Sequence, residues 1–162
     1  MSESASEPLE TLETAAEQME TLLSSARRRV WLQTRCRVLN SLPDFHLAQH
    51  LSRVARRTRH PDLRILIDDD LELKRTQPQL VQTASRLSSW ISVRCYTPEQ
   101  ETPGTLLLVV DRHSWLYLIQ HQGQVGLRSE DDDPAGTQSA AGDYEAAWAV
   151  SSEALELRRL SI

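Results

Sequence analysis

The sequence predicts an α/β fold in which helices flank a mixed sheet, in the order β-α-β-α-β, then a β-hairpin, a helix and a final strand. Residues 63–67 form a short apolar run rich in β-branched side chains, directly after a His-Pro-Asp turn. Such a run, apolar on both faces, is typical of a strand buried within a parallel sheet. Segments with helical spacing lie before and after it, as crossover helices would.

The length of 162 residues suits one domain with its own core. We expect a disordered tail over residues 1–8 and a single domain over residues 9–162. Apolar residues recur at helical spacing from Leu9 to Ala26, which predicts an N-terminal amphipathic helix with an acidic outer face. Three arginines, residues 27–29, follow it, where cations oppose the helix dipole.

The parallel half follows in three strands joined by two helices. The first helix spans residues 43–59, with Pro43 at its first position, and Pro78 opens the second after a polar connection over residues 71–77. Right-handed crossovers make the strands parallel. The predicted strands are residues 30–36, 63–67 and 90–95.

The second half reads as a hairpin followed by one more helix and strand. The turn at residues 111–114 joins the two hairpin strands, and a short third strand follows them. Residues 129–143 are acidic and poor in apolar side chains, which predicts a mobile loop. The remaining predicted elements are strands 105–110, 115–120 and 124–127, a helix around residues 144–150 and a strand over residues 155–160.

Charge is strongly partitioned along the chain, although the net charge is only −5. Residues 27–94 hold fourteen basic and six acidic residues, a charge of +8, and Lys74 is the only lysine in the chain. The arginine side chain ends in a planar guanidinium group, whose N–H donors can bind two oxygens of one phosphate. A high-GC genome would also favour arginine, so both explanations stay open. The candidate phosphate or nucleic-acid ligands are Arg53, Arg56, Arg57, Arg59 and Arg64.

Three carboxylates, Asp68, Asp69 and Asp70, follow the central strand, and ligands gather at such strand ends. They indicate either a cation site or general base, or a turn in which an aspartate caps the next helix. The possible ligand site at strand ends comprises Asp68, Asp69, Asp111 and His113.

The sequence predicts no metal and no cofactor. His46 and His50 are four residues apart but lack further ligands, so we expect surface histidines. No phosphate-cradling glycine loop, zinc spacing or G-x-S-x-G motif is present. Cys36 and Cys95 each fall in a predicted strand, which indicates free thiols in a reducing compartment. With no signal peptide and no apolar run of membrane length, we expect a cytoplasmic protein without a membrane partner.

Several phrases of the sequence resemble an uncharacterised bacterial domain that is related to phospholipase D and often fused behind an acetyltransferase domain. They are Arg28-Arg29-Val30 and residues 54–68, 107–111 and 155–162. The resemblance runs from about residue 9 to the end and implies a phospholipase D-like sheet. The family's chemistry rests on His-x-Lys-x-x-x-x-Asp. With Asp111 as that aspartate, Gly104 takes the histidine position and Leu106 the lysine position, so the resemblance implies a degenerate motif without catalytic residues.

The sequence therefore favours a non-catalytic protein-interaction or regulatory domain. The resemblance implies a protein partner: a second copy in a homodimer, or an acetyltransferase by analogy with the fusions. One alternative is nucleic-acid or phosphate-ligand binding through helix 43–59, with the acidic loop folding over that helix to mask it. Another is an atypical hydrolase that uses Asp68 to Asp70.

Overall fold

The computed structural model describes residues 12–96, 106–121 and 124–158. Seven strands within these residues form one mixed sheet: β1 (Arg29–Thr34), β2 (Asp62–Ile67), β3 (Ile91–Cys95), β4 (Leu106–Val110), β5 (Ser114–His121), β6 (Gln124–Glu130) and β7 (Ser152–Glu153). Their order is β6-β5-β4-β1-β2-β3-β7. β1, β2 and β3 run parallel, and the remaining neighbours pair antiparallel. The predicted fold class is confirmed.

Helices cover the two faces of the sheet unequally. The described helices are α1 (Leu12–Ser24), α2 (Cys36–Ser41), α3 (Leu47–Arg57), α4 (Asp70–Thr76), α5 (Pro78–Arg86), α6 (Pro134–Ala149) and α7 (Leu155–Arg158). The larger core cluster holds side chains from α1 to α5, and the smaller one holds those of α6. The sheet therefore lies between a layer of several helices and a layer formed largely by α6.

Alternation along β1 shows why both faces are covered. Val30 and Leu32 belong to the larger cluster, whereas Trp31 belongs to the cluster under α6. In β2, Ile65 likewise belongs to the larger cluster and Leu66 to the cluster under α6. The apolar run that predicted a doubly covered strand is therefore buried on both faces.

Three predictions on the parallel half are wrong. The helix predicted over residues 43–59 is α3, which begins at Leu47 and ends at Arg57, so Pro43 is not its first residue. The first strand ends at Thr34, and Cys36 opens the short helix α2 instead of continuing the strand. The Asp68 carboxylate accepts the Cys36 N–H at 2.9 Å, which turns the chain there. The predicted polar connection over residues 71–77 is α4. The Asp69 side chain caps α4 by accepting the Glu72 N–H at 3.1 Å.

The predicted acidic loop over residues 129–143 is also wrong. β6 extends to Glu130, and α6 begins at Pro134, whose fixed φ suits a first helical position. The Asp133 carboxylate caps α6 by accepting the Gly136 N–H at 3.1 Å. The helix predicted around residues 144–150 is the second half of α6. The first half was missed because it buries only Thr137, Ala140 and Ala141, which do not form an apolar stripe in the sequence.

The end of the chain differs from its prediction as well. The last strand is β7, two residues long, and residues 155–158 form α7 where a strand was predicted. The predicted tail over residues 1–8 lies outside the described residues. None of the described helices is long and apolar enough to cross a bilayer.

Candidate nucleic-acid interface

One carboxylate organises the end of the sheet at which β1 starts. Asp111, in the turn after β4, accepts the backbone N–H groups of Arg27, Arg28 and Arg29, each at 2.9 Å. Successive N–H groups that converge on one point form an anion-binding nest. Asp111 has a φ of 53°, a left-handed conformation that aspartate tolerates better than most residues. This nest fixes the arginine triplet beside the hairpin.

The same end of the sheet receives the connection that leads into β2. Arg29 is paired with Asp62 in the β1–β2 register, and the Asp62 N–H donates to the Arg28 carbonyl at 2.8 Å. Three chain segments therefore bring exposed cationic residues to one end of the sheet, which we term the basic edge. The basic edge comprises Arg27, Arg28, Arg57, Arg59, His60 and Arg112.

Arg29 lies at the base of this edge and is partly buried. Its guanidinium donates to the Asp111 carbonyl and lies 4.6 Å from the Trp31 ring centroid. Burial lowers the pKa of Arg29, and the positive charges of Arg112 and Arg28 lower it further, against the opposing effect of Asp62 and Asp111. Arg28 and Arg112 therefore lie close enough to Arg29 for their positive charges to repel its own.

Acidic residues flank the basic edge on the hairpin side. Asp131 and Asp132 line one shallow pocket together with Arg27 and His113. The Asp133 N–H donates to the His113 carbonyl at 2.8 Å, which holds this short acidic segment beside the turn. These carboxylates lie next to the hairpin, whereas the sequence predicted a loop folded over the helix of residues 43–59.

The predicted arginine cluster is not a single site. Arg53 is partly buried and donates to His50 Nδ1 at 2.9 Å and to the Leu23 carbonyl at 2.5 Å. Because His50 Nδ1 accepts this bond, its proton lies on Nε2, which donates to the Glu20 carboxylate at 2.9 Å. His50 is buried, so its prediction as a surface histidine is wrong, while His46 is exposed as expected.

Arg64 lies on the opposite face of the sheet, beneath α6. It donates to Asp62 at 3.0 Å and to Glu145 at 3.2 Å. Its guanidinium carbon lies 4.3 Å from the Trp31 ring centroid and 5.4 Å from that of Trp148. Arg64 thus joins the sheet to α6. Of the five predicted arginines, Arg56, Arg57 and Arg59 lie at the surface around the end of α3.

The strand-end carboxylates are divided between the two ends of the sheet. Asp111 and His113 lie at the basic edge, whereas Asp68 and Asp69 follow β2 at the other end. The Asp70 carboxylate accepts the Glu156 N–H at 2.9 Å, so each residue of the aspartate triplet holds a backbone N–H. In the described part of the chain, no group of three His, Cys, Asp or Glu residues is placed to hold a metal ion.

The degenerate motif spans β4, so Leu106 lies at the end of the sheet opposite the basic edge, whereas Asp111 lies at the edge itself. Leu106 pairs with Thr34 at the start of β4 and is buried, while Gly104 lies outside the described residues. Nearby, burial raises the pKa of Cys36 to about 12, with Asp68 adding to the effect. Burial likewise raises the pKa of Tyr96 to about 12, against the bond from Arg35. Both groups are therefore protonated at neutral pH and are weak nucleophiles.

The sequence reasoning missed Arg27, Arg28 and Arg112 as parts of one surface. Each had a local explanation, as the end of a helix or the tip of a turn. The signal that could have found them is topological, because the starts of neighbouring parallel strands share one edge of the sheet. An antiparallel β4 brings its own end to that same edge.

Two solved structures share this architecture. TrmBL2, described as an archaeal chromatin protein with a novel mode of DNA binding, has a TM-score of 0.66 and 10% identity, over 88% of this chain and 52% of TrmBL2. This chain thus spans about half the length of TrmBL2. Nuc from Salmonella typhimurium, a phospholipase D family member, has a TM-score of 0.59 and 15% identity, over 83% of this chain and 89% of Nuc.

The fold is therefore that of a phospholipase D-like α/β protein, as the sequence resemblance implied. The chain belongs to the family described as Domain of unknown function (DUF7931), which matches residues 11–160. No curated protein matches its sequence.

Proposed function

We propose that this chain is a non-catalytic domain that binds nucleic acid through the basic edge. The observation that carries the proposal is the convergence of three separate chain segments, which bring five arginines and His60 to one end of the sheet. Within the described residues, the ion pairs involve His46, His50, Arg64 and Arg75, and none involves the basic edge.

The negative net charge does not oppose this proposal. Charges in 0.1 M salt are screened over about 10 Å, so a bound phosphate responds to the cations near it. The carboxylates near the edge are Asp62, Asp111, Asp131 and Asp132. Asp62 pairs with Arg64, and Asp111 accepts three backbone N–H groups. A local array of arginines therefore attracts a polyanion even on an acidic protein.

The position of the degenerate motif supports a non-catalytic role. Leu106 and Gly104 replace the lysine and histidine that the resemblance would require. Leu106 lies at the end of the sheet opposite the basic edge. Phosphates held at the basic edge would lie a full strand length from that end. The hydrolase alternative is not favoured, because Asp68, Asp69 and Asp70 are engaged in backbone hydrogen bonds.

The likeness to TrmBL2 agrees with this proposal, since that protein is described as binding DNA. At 10% identity the likeness concerns the fold, and the interface proposed here depends on the arginines of this chain. A protein partner, whether a second copy or an acetyltransferase, stays a prediction from the sequence.

Fluorescence anisotropy of labelled oligonucleotides tests the proposal across a salt series. The variant is Arg28→Gln with Arg59→Gln, and the matched control is Arg37→Gln with Arg75→Gln, exposed arginines of α2 and α4. We expect the slope of log K against log salt to fall by roughly 0.7 to 0.9 for each phosphate that the variant no longer neutralises. The control should leave both the slope and the affinity unchanged. No binding at 50 mM salt, or an equally weakened affinity in both pairs, would overturn the proposal.

A further inference from the structure

Trp90 is exposed at the end of the sheet that carries the basic edge. It follows α5, and its N–H donates to the Leu87 carbonyl at 2.8 Å. Ile91, the next residue, starts β3 and pairs with Leu63, which directly follows Asp62. Because neighbouring strands lie about 4.8 Å apart, Trp90 is one strand away from the start of β2 and two from the start of β1.

The other three tryptophans have structural roles. Trp31 is buried beneath α6, and Trp115 is buried and donates its indole N–H to Asp133 at 3.0 Å. Trp148 is partly buried and stacks on Tyr144, with ring centroids 5.9 Å apart. Trp90 alone among the four is exposed, with 41% of its surface accessible.

Cations continue along the sheet up to Trp90. Arg112, Arg28 and Arg59 lie at the ends of β4, β1 and β2 that face this edge, and Trp90 directly precedes β3 at the same edge. Three strand spacings make this row about 14 Å long. An exposed aromatic side chain at one end of a row of cations is an arrangement that binds single-stranded nucleic acids, because their bases are free to stack.

We infer that the ligand is single-stranded nucleic acid, with its phosphates along the basic edge and one base stacked on Trp90. This inference rests on the proposed function and goes beyond it by choosing between the classes of nucleic acid. A duplex presents phosphates to the arginines but keeps its bases stacked and paired. Trp90 therefore adds little to the affinity for a duplex. A single strand gains both contacts, which makes the affinity for single strands the greater one.

The test compares a single-stranded oligothymidylate with a duplex of the same length, using the full chain. Trp90→Ala should weaken binding of the single strand about tenfold and leave duplex binding unchanged. Trp90→Phe should retain most of the affinity, because phenylalanine keeps a stacking surface. Leu71→Ala is the matched control, since Leu71 is 57% exposed on α4, away from this edge.

A second readout does not depend on affinity. Saturation with the single strand should quench part of the tryptophan fluorescence in the native protein, and that quenching should be absent in Trp90→Phe. Equal affinity for both oligonucleotides, with no effect of Trp90→Ala, would overturn the inference and leave the proposed function standing. Failure of both oligonucleotides to bind the native protein would overturn the proposed function itself.

Discussion

Asp111 and Arg29 hold each other through hydrogen bonds in both directions. The Arg29 N–H donates to the Asp111 carboxylate at 2.9 Å, and the Asp111 N–H donates to the Arg29 carbonyl at 2.8 Å. The Arg29 guanidinium adds a bond to the Asp111 carbonyl at 2.8 Å. Two residues that lie far apart in the sequence thus fix the hairpin turn to the start of β1. These bonds hold Arg28 and Arg112 of the basic edge next to each other.

Replacing Asp111 tests how much stability this pair of residues provides. Asp111→Ala leaves three backbone N–H groups without their acceptor and puts an alanine at a positive φ. We expect the free energy of unfolding to fall by about 2 to 3 kcal/mol, measured with denaturant. Asp111→Asn should cost about half as much, because it keeps one acceptor oxygen and tolerates the left-handed conformation. Equal effects in the two variants would contradict this explanation.

Arg64 provides a test that separates stability from binding. Arg64→Ala removes the stacking on Trp31 and Trp148 and the bonds to Asp62 and Glu145, so it should destabilise the fold by roughly 1 to 2 kcal/mol. Oligonucleotide affinity should stay unchanged under conditions where the variant is folded. Arg59→Gln, on the exposed edge, should show the reverse pattern. If folded Arg64→Ala bound oligonucleotides more weakly than the native protein, Arg64 would be part of the nucleic-acid interface.

These two arginines show what the sequence could and could not predict. Apolar periodicity and right-handed crossovers are properties of neighbouring residues, and they predicted the sheet and its parallel strands. The role of Arg64 depends on which face of β2 it occupies and on what covers that face. α6 supplies that cover, and its buried Ala140 and Ala141 lie within residues 129–143, which were predicted as an acidic loop.

The basic edge could not be predicted from the positions of the arginines in the sequence alone. Arginine content pointed to phosphate binding, but the sequence assigned it to one helix. The arginines of that helix separate in the structure, because Arg53 turns towards His50 while Arg57 and Arg59 stay exposed. Side-chain partners from α1 decide this difference, and no spacing within α3 could reveal them.

The contact of Glu20 with His46 and His50 should make stability depend on pH. Burial would raise the pKa of Glu20, but the His46 N–H at 2.6 Å and the His50 ring outweigh it and hold the pKa below the ordinary value of 4.5. A carboxyl with a depressed pKa stabilises the fold above the unfolded-state pKa, and this contribution is lost as the pH falls through the folded-state pKa.

Glu20→Gln should therefore cost about 1 kcal/mol at pH 7, and the difference from the native protein should shrink below pH 4.5. Urea unfolding at several pH values from about 3 to 7, chosen where both proteins are folded, gives this difference directly. Glu17→Gln, exposed on the same helix, is the control and should show little change. A difference that stays constant down to about pH 3 would contradict the mechanism.

The carboxylates beside the basic edge should limit its affinity for nucleic acid. Asp131→Asn with Asp132→Asn removes two negative charges from the pocket that Arg27 and His113 share. At about 10 Å in water each charge counts for about 0.4 kcal/mol, so binding at low salt should strengthen roughly two- to fourfold. The gain should vanish near about 0.5 M salt, where such interactions are screened. Glu145→Gln, at an exposed position of α6, is the control, and an equal gain there would contradict a local effect.

Two glycines of α6 give opposite predictions for the same substitution. A Cβ added at Gly136 would lie 2.1 Å from Asp133 Oδ2 and 2.6 Å from the Trp115 indole nitrogen. Asp133 caps α6 and also accepts the Trp115 indole N–H, so Gly136→Ala must break one or both of these bonds. We expect the free energy of unfolding to fall by about 2 kcal/mol.

Gly142 lies in the middle of the same helix, and a Cβ added there meets no atom within 4 Å. Gly142→Ala should stabilise the protein by about 0.5 to 1 kcal/mol, because alanine loses less backbone entropy on folding. Denaturant unfolding of the two variants checks both values in one experiment. If both substitutions stabilise the protein, the Asp133 cap does not hold the start of α6; if both destabilise it, the helix does not extend through residue 142.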